Sequence, residues 1–76
     1  MDIRQRLGRN LRRLREAKGL SQEKFAFEAH IHRTYISDIE RGARNPTIVI
    51  VQKLADALGV TASNLLAVEH DGRSSA

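Results

Sequence analysis

The sequence contains no cysteine, no tryptophan and a single proline, and its aromatic residues are two phenylalanines and one tyrosine among 76 residues. Without cysteine there can be no disulfide framework, thiolate metal site or cysteine nucleophile, and the cytoplasm is the expected location. So few aromatics leave nothing from which to build a stacking platform for single-stranded nucleic acid. No stretch approaches the roughly 18 apolar residues of a membrane span, and the charged start Met1-Asp2-Ile3-Arg4-Gln5-Arg6 has no apolar signal region. No membrane partner or export is therefore expected. No phosphate-binding loop and no nucleophile with a plausible base are present, and so short a chain leaves little volume for a pocket. An enzyme, a cofactor and a small-molecule ligand are not expected. His30 and His32 stand one residue apart, but no acidic or cysteine ligand joins them at a recognised spacing, so no metal site is expected either.

What remains is basic. Lys and Arg number 13 against 9 Asp and Glu, a net charge of +4 that suits an acidic partner such as a phosphate backbone. The length allows one domain, and one this small buries so little of its chain that a partner surface would help stabilise it.

Apolar residues Ile3, Leu7, Leu11 and Leu14 recur at spacings of four, four and three and predict a first helix that stops near Gly19. Its other face carries Arg4, Arg6, Arg9, Arg12, Arg13 and Arg15, read mainly as a solvated surface. Ser21 is a good N-cap for a short helix from Gln22 to Ala29; after a break at His30-Ile31-His32, Tyr35, Ile36 and Ile39 mark another from Arg33 to Glu40, stopped by Gly42. Two short helices joined by a tight turn are what a helix-turn-helix requires. Pro46 closes a loop, Thr47 caps a fourth helix that ends before Gly59, and Thr61 caps a brief fifth helix through about Ala67. The expected fold is all-α, a five-helix domain over residues 1–68, with residues 69–76 as a disordered tail.

Within the motif, Phe25, Ala29, Ile36 and Ile39 face a shared core, Ala26 lies where the helix axes approach most closely, and Ile31 plugs the turn. With Gly19-Leu20-Ser21-Gln22, Ile39-Glu40-Arg41-Gly42 and Asn45-Pro46 in register, residues 3–67 resemble the phage Cro and repressor type of helix-turn-helix domain. The stretch from Arg33 to Gly42 looks most like the controller proteins of restriction-modification systems. That resemblance implies a homodimer on a roughly palindromic double-stranded DNA operator at its own promoter, with RNA polymerase as a further partner. A phage-type repressor, or an antitoxin-like protein-interaction module on the same fold, is the alternative.

If the third helix enters the major groove, the base-reading set is Arg33, Thr34, Tyr35, Ser37 and Asp38. Arg33 has the planar fork for guanine, or else contacts phosphate. Tyr35 either packs on the backbone wall or is a half-buried core residue. Asp38, repelled by phosphate, either accepts from a cytosine amino group or orients a neighbouring arginine, with orientation favoured. Ser21, Gln22, Arg41, Arg44 and Asn45 are assigned to phosphate, Gln22 through its backbone amide and Ser21 with its hydroxyl engaged in capping. The family resemblance implies an ion pair between Arg15 and Glu40 that ties the first helix to the third.

In the fourth helix Ile48, Val51, Leu54, Ala55 and Leu58 are the family-like core positions. Val49 and Ile50, with Leu65, Ala67 and Val68, are left as a self-complementary dimer patch that would set two recognition helices roughly 34 Å apart. His30 and His32 depart from the family pattern, standing where Gly and a capping Ser, Thr or Asp are usual.

Overall fold

The computed structural model describes residues 2–68, and the expected tail at 69–76 lies outside the described residues. Among the described residues there are five helices and no strand: α1 Ile3–Ala17, α2 Gln22–Ala29, α3 Arg33–Glu40, α4 Ile48–Leu58 and α5 Ala62–Leu66. None is long and apolar enough to cross a membrane. Ser21, Thr47 and Thr61 each accept the backbone N–H three residues on, satisfying one of the amides that a helix start leaves unpaired. Asp2 caps α1 by accepting from the Arg4 and Gln5 amides, a cap absent from the pattern that predicted this helix. Gly19, Gly42 and Gly59, the three expected stops, all have positive φ.

The core is one cluster to which every helix contributes: Leu7 and Leu11 from α1, Phe25, Ala26 and Ala29 from α2, Ile36 and Ile39 from α3, Val51, Leu54, Ala55 and Leu58 from α4, and Leu65 from α5. Complete burial of a side chain such as Phe25 or Leu54 contributes roughly 1.5–3 kcal/mol. Helix α1 lies against both α3 and α5, and α2 rests on α3 and α4. The crossing of α1 with α3 is made possible by Gly8. A Cβ there would stand 2.4 Å from the Ile39 carbonyl oxygen and 2.7 Å from that of Glu40, both backbone atoms with little room to move.

Two core assignments change. Ile48 is 84% exposed, so it lies off the buried stripe of α4, while Ile50 is half-buried and packs on the core. Leu65 is fully buried between α1 and α4, which removes it from the expected dimer patch. The basic face of α1 is also narrower than six arginines. Arg15 is buried and half-buried Arg6 donates from Nε to the Leu66 carbonyl at 3.0 Å.

Candidate nucleic-acid interface

Helix α3 buries Ile36 and Ile39 and turns Arg33 and Thr34 outward, with Tyr35, Ser37 and Asp38 half-buried beside them. Arg33 and Ser37, and likewise Thr34 and Asp38, are four residues apart and so stack along one side of the helix. The turn that delivers α3 is unusual. His30 is in the left-handed region at φ 58, the only described non-glycine residue there, and His32 holds the N-cap position without making a side-chain cap bond. Ile31 is half-buried against the core, and its amide donates to the Ala26 carbonyl at 3.0 Å, fixing the turn from beneath.

The orientation of α3 is set by a buried polar node. Arg15 Nε donates to Glu40 Oε2 at 2.6 Å and Arg15 Nη2 to Glu40 Oε1 at 3.0 Å, with only 8% and 4% of the two side chains exposed. Arg15 Nη1 donates to the Leu20 carbonyl at 2.6 Å, and Gln22 Nε2 donates to Glu40 Oε1 at 2.9 Å. Glu40 thus binds α1, the start of α2 and the end of α3 together, and its hydrogen bonds push the Arg15 pKa above the ordinary guanidinium value. Among the described residues no buried side-chain polar atom lacks a hydrogen bond. The Gln22 side chain is therefore committed to the fold. Its backbone amide, in the first turn of α2, has no partner within the helix by geometry and stands beside the Ser21 hydroxyl, which is engaged with the Lys24 amide at 3.0 Å.

On the other flank of α3, Asp38 gathers the loop arginines. Arg41 Nη2 donates to Asp38 Oδ1 at 2.5 Å and Arg44 Nε to Asp38 Oδ2 at 3.2 Å, and these bonds hold the Asp38 carboxyl below the usual carboxylate range. The Arg44 guanidinium also lies 4.7 Å above the centre of the Tyr35 ring, a cation–π contact that joins the loop to the recognition helix. Asn45 is exposed and, with Pro46, borders a groove of about 150 Å³ lined also by Ile3, Ile48 and Leu66. Of the groove's residues Ile3 and Ile48 are exposed, and elsewhere on the surface so are Val49, Ala67 and Val68.

An exposed face of α3, first-turn amides of α2 and an arginine pair in the loop after α3 form the layout of a helix-turn-helix. The helix-turn-helix family model matches residues 11–65. The chain belongs to the helix-turn-helix family. Among helix-turn-helix proteins it is similar to control protein C.BamHI of Bacillus amyloliquefaciens, 50% identical over 66 residues that span 86% of this chain and 82% of the relative. Its fold matches the restriction-modification controller protein C.AhdI of Aeromonas hydrophila with a TM-score of 0.79 at 45% identity, covering 82% of this chain and 94% of that one. The controller C.Esp1396I, solved as a tetramer on its natural 35-base-pair operator, matches with a TM-score of 0.78 at 31% identity over 86% of each chain.

Three features of this helix-turn-helix were not read from the sequence: Gly8, the buried Asn10 and the Gln22–Glu40 bond. Gly8 left a signal, since a glycine inside an exposed helix costs about 1 kcal/mol relative to alanine and is kept where another backbone must come close.

Proposed function

We propose that this protein is a homodimeric transcriptional regulator of the restriction-modification controller type, working by binding in the cytoplasm and not by catalysis. Two copies of α3 enter successive major grooves of a two-fold operator at the protein's own promoter. The observation that carries this reading is the solvent-facing side of α3, where exposed Arg33 and Thr34 and half-buried Ser37 share a helix whose end is bonded to the start of α2 and to the Arg41–Arg44 pair. Base readers flanked on both sides by phosphate contacts are the requirement for reading a groove in fixed register. Half-identity with a control protein across most of both chains supports the controller role.

Footprinting on DNA upstream of the coding sequence tests it. A protected, roughly palindromic segment is expected, and Arg33→Ala should weaken binding to it by about 1–3 kcal/mol, the worth of one bidentate base contact, with fold and dimer unchanged. No protection on any duplex, or indifference to Arg33→Ala, would favour a protein-interaction module on the same fold.

A further inference from the structure

The sequence leaves two roles open for Asp38, a reader of cytosine or a support for an arginine. The geometry points to a more specific one. We propose that Asp38 is a positioning residue that reads no base and holds Arg41 and Arg44 as a paired phosphate clamp, with the Tyr35 ring as its second support; this rests on the DNA-binding reading above.

Both carboxylate oxygens of Asp38 already accept from guanidinium groups, at 2.5 Å from Arg41 and 3.2 Å from Arg44. The Asp38 side chain is only 18% exposed, whereas those of Arg41 and Arg44 are 65% and 49% exposed, so the cluster presents its cations outward and its anion inward. Its sum is one net positive charge, which resolves how an acidic residue is tolerated on a helix that must approach phosphates. Arg44 spends Nε on Asp38 and sets its guanidinium carbon over the Tyr35 ring, leaving its two terminal amino groups for an anion. Arg41 likewise spends one terminal nitrogen. Exposed arginines otherwise lose rotamer freedom when they bind, and a pair held in advance loses less. Because the scaffold of the clamp is the recognition helix itself, through Tyr35 and Asp38, the clamp and the base readers move as one body.

The test uses the full chain and a duplex recovered by that chain from a random-sequence pool, with a scrambled duplex as the non-specific probe. Asp38→Asn is expected to weaken binding to the recovered duplex about tenfold. The same factor should appear on every single-base variant of that duplex, so that base preferences are unchanged. Binding to the scrambled duplex should hold or tighten, and its salt dependence should steepen by about one counterion for the added positive charge. Asp38→Glu should recover part of the loss. In an Arg41→Ala, Arg44→Ala background, Asp38→Asn should no longer weaken binding and should only relieve the repulsion of a carboxylate that has lost its partners. Loss of discrimination confined to one base pair, or a weakening that persists without the two arginines, would overturn the proposal and make Asp38 a base reader. No change in affinity or salt dependence on Asp38→Asn would overturn it as well. Failure of the unaltered chain to enrich any sequence would instead defeat the DNA-binding reading, and the clamp with it.

Discussion

Glu40 receives three donated hydrogen bonds, two from Arg15 and one from Gln22, in a position almost without solvent. A buried ion pair is a poor source of net stability, because desolvation opposes the Coulombic gain, yet breaking one leaves an uncompensated charge. Glu40→Ala should therefore destabilise the domain by about 3–5 kcal/mol in urea denaturation. The double replacement Arg15→Met, Glu40→Leu should cost less than Glu40→Ala alone, because it strands no charge. If instead the double replacement cost more than the single one, the node would be a true stabiliser and not mainly a device for orientation. The pair itself was implied by family resemblance. The Gln22 arm was not legible, since nothing in a sequence tells a glutamine at a helix start whether to face solvent or a buried carboxylate 18 residues away.

At the scale of elements, most of the architecture was legible because caps and periodicity agreed. Ser21, Thr47 and Thr61 all cap, and Phe25, Ala26, Ala29, Ile36 and Ile39 are all buried, as their spacing required. The start of α4 was misread for a physical reason. Ile48-Val49-Ile50-Val51 is a run of four apolar residues, and a run carries no helical phase, so it cannot say which of its members faces the core. Only Val51 is buried. The turn before α3 is where local preference and fold disagree, through the left-handed His30 and the unbonded cap at His32. His32→Ser should supply the missing cap and His30→Gly should remove the steric cost of positive φ, each raising stability by about 0.5–1 kcal/mol in chemical denaturation. Loss of stability with His32→Ser would mean that the imidazole makes a contribution the cap geometry does not reveal.

For the whole molecule, the exposed apolar residues bear on the proposed dimer. Ile3, Ile48, Val49 and Val68 are between 51% and 84% exposed, and none of them is part of the buried core. In the proposed dimer they cover one another across a two-fold axis beside Ala67, a patch that keeps Val49, Ala67 and Val68 of the sequence-based expectation, gives up the buried Leu65 and the half-buried Ile50, and adds Ile3 and Ile48. Ile48→Asp should raise the dimer dissociation constant by on the order of 100-fold, the cost of placing a charge in an apolar contact, in sedimentation equilibrium. The thermal stability of the monomer should hardly change, because Ile48 adds nothing to its core. A monomer that unfolds on this substitution would place the residue in the fold and not in the interface.

Asn10, almost fully buried on α1, donates both hydrogens of its amide nitrogen to carbonyls near the far end of the described chain, to Leu65 at 2.7 Å and Ala67 at 2.9 Å. Its partners lie 55 and 57 residues downstream, so an amide desolvated early has no counterpart until the last helix exists. The first helix of the described chain thus reaches its native hydrogen bonding only together with the last, so the two ends of the domain are completed in one step.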